Sequence, residues 1–116
     1  MSNIYTDVKT ALAASGYPVY QESAAPAESF PDTYLTYMVI FDEGLLHAKN
    51  QPVGNAARVM VKLYSRDPEI TQGGRGTLDG LMSECLRIGG GDLPYYAPTG
   101  HYGYTCDYRY FDYEED

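Results

Sequence analysis

The stretch from Ala56 to Ile88 constrains the fold more than any other. Ala57, Val59, Val61 and Leu63 alternate with Arg58, Met60, Lys62 and Tyr64. That period of two marks a strand buried on one face only. Asp67-Pro68-Glu69 follows as a helix start, with a capping carboxylate, a proline in the first turn and an acid behind it. Leu78, Leu81, Met82, Cys85 and Leu86 then recur at helical spacing. A strand with one oily side followed by a helix with one oily stripe predicts an α+β domain in which the helix covers the sheet.

The glycines Gly73, Gly74 and Gly76 weaken the early part of this helix, at roughly 1 kcal/mol each relative to alanine. Its regular turns therefore start at Pro68 or nearer Thr77. Gly89-Gly90-Gly91 ends it, and Asp92 to Gly100 reads as a connector.

Upstream, Asn3 caps a helix whose stripe is Ile4, Val8, Ala11 and Leu12, stopped by Gly16 and Pro18. Val19 to Glu22 is a short strand, and Ser23 to Asp32 a surface loop. Tyr34 to Phe41 is β-rich on both faces, which suits a central strand or one covered on association. Asp42 to Asn55 reads as an extended hairpin whose Leu45 and Leu46 have no partner within it. His101 to Tyr113 closes the chain as a strand, with Tyr102, Tyr104, Cys106, Tyr108 and Tyr110 on one face and Thr105, Asp107 and Arg109 on the other. The expected order is helix, strand, strand, hairpin, strand, helix, strand. It gives a mostly antiparallel sheet of about four strands packed by two helices in one domain, 1–116.

At 116 residues such a domain can bury a core without staples. Cys85 and Cys106, in a chain with no signal-peptide pattern, favour free thiols over a disulfide. No apolar run has the length of a membrane span, so no membrane association is expected. Sixteen acids against eight bases give a net charge of −8, which repels nucleic acid at long range. Thirteen tyrosines and no tryptophan suit surfaces buried only on assembly.

Sites of chemistry are sparse. Gly73-Gly74-Arg75-Gly76-Thr77 has neither P-loop nor dinucleotide-binding spacing. His47 and His101 stand outside any metal-ligand cluster, and neither cysteine has a histidine at a telling distance. The chain is expected to be a non-enzyme without cofactor or metal. Arg58, Lys62 and Arg66 recur every fourth position, forming a basic stripe on one face of the central strand. In so acidic a chain this stripe points to a contact between subunits.

Larger patterns carry a resemblance. Tyr5 to Leu12, Gly16-Tyr17-Pro18-Val19-Tyr20 and Phe30-Pro31-Asp32-Thr33 leading into Tyr34-Leu35-Thr36-Tyr37 are its first half. Val59 to Ser65 running into a helix, and the aromatic strand Tyr104 to Tyr113, are its second. Over nearly its whole length the chain resembles the tail terminator and tail-to-head joining proteins of long-tailed bacteriophages. It departs from them in its glycine interruption and its tyrosine count.

The resemblance implies a hexameric ring at the head-proximal end of the virion tail. Such a ring caps the tail tube, stops its polymerisation and offers a surface to the head connector or stopper, while DNA passes through the lumen without specific binding. It implies no catalytic residues. The expected interface residues are Leu45, Leu46 and His47 in the hairpin, touching a neighbouring subunit or the tube, with Arg58, Lys62 and Arg66 on the central strand. Another neck or head-completion component, or an acidic mimic of DNA that blocks a host protein, are the alternative readings.

Overall fold

The computed structural model describes residues 4–22, 30–41 and 55–112. The expected hairpin with Leu45, Leu46 and His47, most of the loop before Phe30, and the acidic end lie outside the described residues. The chain folds as α1 (Ile4–Ala13), β1 (Val19–Gln21), β2 (Thr33–Phe41), β3 (Asn55–Ser65), α2 (Pro68–Gln72), α3 (Gly74–Leu81), β4 (Leu86–Tyr96) and β5 (His101–Asp112). The class is α+β. Five strands form one mixed sheet in the order β1-β2-β3-β5-β4. The β1–β2 pair is parallel and the other three are antiparallel.

β3 lies at the centre, as its alternation demands. Val59 pairs with Val39 on one side and Tyr108 on the other, and Val61 with Tyr37 and Cys106. Ala57, Val59, Val61 and Leu63 are buried with Leu35, Cys106 and Tyr108 on the face that the helices cover. α1 brings Ile4, Val8 and Leu12 to this core, while α3 and the turn after it bring Leu78 and Met82. A fully buried leucine or valine stabilises by about 1.5–3 kcal/mol, so this single layer of contacts dominates the fold.

Helix boundaries follow local chemistry. Asp67 accepts a hydrogen bond from the Glu69 amide at 3.0 Å, with Pro68 at the first helical position. α1 stops at Gly16, whose φ of +83° a side chain would resist.

The expected second helix is two short ones. α3 begins at Gly74 and not at Thr77, because a Cβ at Gly74 would meet the Tyr104 ring at 3.0 Å. The missing side chain lets the helix start sit directly on β5.

The connector reading of Asp92 to Gly100, and the continuation of the helix to Ile88, are corrected: Leu86–Tyr96 is a fifth strand. Three consecutive glycines are costly in a helix, whereas β5 offers a full ladder of backbone partners. Gly90 stands opposite Cys106, and a Cβ there would lie 2.6 Å from the Thr105 carbonyl oxygen. Close approach of the two backbones needs that glycine. Pro94 is tolerated because β4 is an edge strand with a register shift between Leu93 and Tyr96.

α3 is tied to the sheet through Asp79. It accepts from the Tyr108 hydroxyl at 2.9 Å and pairs with Arg87 at 3.2 Å. Burial and that bond hold the Tyr108 phenol far above its ordinary pKa.

Candidate interface on the sheet face opposite the helices

Side chains alternate across a sheet, so the residues between the core positions share the opposite face. On β2 these are Tyr34, Thr36, Met38 and Ile40; on β3, Arg58, Met60, Lys62 and Tyr64; on β5, Gly103, Thr105, Asp107 and Arg109. No helix among the described residues covers this face.

Arg58 and Lys62 of the expected basic stripe lie on this face. Lys62 Nζ donates to Glu22 Oε1 at 2.8 Å, and that bond raises the lysine pKa against the opposing effect of burial. Arg66 pairs with Asp32 and donates from Nε to the Thr99 carbonyl at 2.9 Å, both at the exposed end of the sheet. Of the three, Arg58 is in no ion pair among the described residues, and its cross-strand neighbour is Arg109. The other two are paired within the chain. The pairing of Arg109 with Arg58 was missed because the register of β3 on β5 cannot be read from either strand alone.

The row through Lys62 has a second property. Thr36 and Thr105 are its partners on the two neighbouring strands. Their hydroxyls, and Glu22 Oε2, are buried without a hydrogen-bond partner among the described residues. Unpaired buried polar atoms are rare in a finished interior.

At one end of the face the aromatic residues gather. Tyr34 stacks on Tyr64 with centroids 5.0 Å apart, and His101 meets Tyr34 edge-on at 5.3 Å. With Leu93, Tyr95 and Tyr96 they line a mainly apolar groove of ≈ 440 Å³. His101 is fully occupied in structure. Its Nε2 donates to the Pro31 carbonyl at 2.8 Å, and Nδ1 shares a hydrogen bond of 2.7 Å with the Thr99 hydroxyl. The geometry uses this histidine to tie the start of β5 to the strand entering β2.

The large apolar side chains that remain exposed among the described residues are Leu86, Ile88, Tyr95, Tyr96 and Tyr102. All five lie on the β4–β5 hairpin. Leu86 is 62% exposed although helical spacing places it in the core. The alternation of Leu86 and Ile88, just before three glycines, is the sequence signal that announces a strand here.

On the opposite side, α1 and the turn after α3 enclose a groove of ≈ 540 Å³ lined by Asp7, Thr10, Ser83, Glu84, Cys85 and Tyr110, among others. Tyr110 donates to Asp7 Oδ2 at 2.9 Å. Cys85 and Cys106 are both free thiols, and burial pushes both up in pKa, which keeps them protonated and unreactive. Among the described residues no group of three or more His, Cys, Asp or Glu could hold a metal ion. No helix is long and apolar enough to cross a membrane.

No protein-family model matches the chain, and no curated protein matches it.

Proposed function

We propose that the chain is a structural subunit of a phage tail terminator, a ring that caps the tail tube and receives the head connector or stopper. The observation that carries this reading is β4, which places the exposed Leu86, Ile88, Tyr95 and Tyr96 on the edge strand of the sheet among the described residues. An edge strand with unpaired backbone groups and an apolar surface is a hazard to a solitary protein and an asset to an assembling one. Association of identical subunits through unlike surfaces closes a ring when the rotation per step allows it. The whole-length resemblance implies a hexamer on the virion tail.

The net charge of −8 suits a lumen through which DNA slides without being held. The DNA-mimic alternative needs acids concentrated on one surface, whereas Arg58 and Arg109 stand together on the face opposite the helices.

Electron microscopy of the purified protein, alone and with polymerising tail tube protein, tests the proposal. The expected result is closed annuli and tubes of arrested length. Tubes that lengthen unchecked in its presence would overturn the terminator role. Binding to a connector without binding to tube would assign it to another part of the neck.

A further inference from the structure

The geometry points to a front-to-back contact between two copies of this chain, in which Arg58 and Arg109 of one copy enter the groove of the next, against Asp7 and Glu84. This rests on the ring reading above and adds which surfaces meet.

Arg58 and Arg109 are direct partners in the β3–β5 register. Like charges placed opposite one another on neighbouring strands repel. Neither has an ion-pair partner among the described residues, and Asp107, the diagonal neighbour on this face, pairs with neither. Among the described residues, no acid therefore pairs with either of these two cross-strand arginines. Each presents a planar fork that matches a carboxylate. Ile40 and Leu86 complete the same row across the sheet, and Ile88 follows, so the charges stand in an apolar surround.

The groove supplies the complement. It is lined by two acids, Asp7 and Glu84, and by no base. The Tyr110 hydroxyl bonds to Asp7 Oδ2, which fixes the carboxylate and leaves Oδ1 to accept. Glu84 is exposed and has no ion-pair partner among the described residues. Val8, Ala11 and Leu81 give the groove an apolar wall suited to Leu86 and Ile88.

The two surfaces lie back to back through a single sheet. Tyr110, in the groove, follows Arg109 in β5 and pairs with Ala57, the residue before Arg58. One copy cannot bring its own arginines round to its own groove, so the contact runs head to tail and leaves both surfaces open at each end of a chain of copies. A ring consumes them all.

Sedimentation equilibrium on the full chain tests this with a front variant, Arg58→Glu with Arg109→Glu, and a back variant, Asp7→Lys with Glu84→Lys. Each alone is expected to weaken association by about tenfold or more, as loss of a buried charge pair does. An equimolar mixture is expected to recover it, since reversed charges then face each other. If a reversal disturbs folding, seen as a lowered melting temperature, Arg58→Gln with Arg109→Gln gives the same loss with less perturbation. Variants that associate like the wild type would overturn the contact and leave the ring standing. A wild-type chain that stays monomeric at every concentration would overturn the ring itself. Binding of a double-stranded oligonucleotide that the front variant loses would overturn the contact by assigning the arginines to phosphate.

Discussion

Lys62 and Glu22, 40 residues apart in the chain, meet at 2.8 Å across the face of the sheet opposite the helices. The pair fastens the end of β1 to the central strand, where β1 is only three residues long.

The pair is partly buried, so its loss is felt in stability. Lys62→Met and Glu22→Gln are each expected to cost about 1 kcal/mol, the lower range for a charged hydrogen bond that water still reaches. In a double-mutant cycle read by urea unfolding, the two losses are expected to be less than additive. Strict additivity would mean that the two side chains act independently.

Gly90 and Gly89 differ sharply in what a methyl group would meet. At Gly90 the Cβ would lie 2.6 Å from the Thr105 carbonyl oxygen and 3.0 Å from Cys106 Sγ, while at Gly89 nothing lies within 4 Å. Gly90→Ala is expected to destabilise by about 1–3 kcal/mol, as overpacking does, and Gly89→Ala to be near neutral. Thermal melts of the two variants check this. Equal losses would deny the close approach of β4 to β5.

Stability is expected to fall at alkaline pH. Burial, then the neighbouring Tyr64, pushes the Tyr34 phenol from 10.0 up to about 12. Between those values the unfolded chain has lost this proton and the folded one keeps it, so rising pH favours unfolding. Lys62 adds to the same trend, because its raised pKa gives stability that is lost as pH rises through it. Melting temperatures from pH 10 to 12 are expected to drop steadily, and less steeply in Tyr34→Phe. A flat profile would contradict the burial of this ring.

What the sequence revealed depended on whether the signal was local. The alternation of β3, the Asp67 cap, the stop at Gly16 and the aromatic face of β5 each sit within a few residues and were read correctly. β4 was misread because Leu81, Met82, Cys85 and Leu86 satisfy helical spacing by chance at the point where the helix ends. Its glycines serve strand pairing with β5, a partner that lies ten and more residues further on. The basic stripe was legible as a pattern but its partners within the chain were not, since Glu22 and Asp32 reach Lys62 and Arg66 from distant parts of the sequence. Arg109 became a partner of Arg58 only through the register.

The central claim is that the exposed apolar residues of the β4–β5 hairpin are covered by another copy. Native mass measurement of the full chain across a range of concentrations, beside Leu86→Glu with Ile88→Glu, addresses it most directly. The account predicts a closed oligomer, six subunits for the ring read here, that the variant reduces to a monomer that still unfolds in one cooperative thermal transition. A wild type that remains monomeric throughout, or a variant that assembles unchanged, would contradict it.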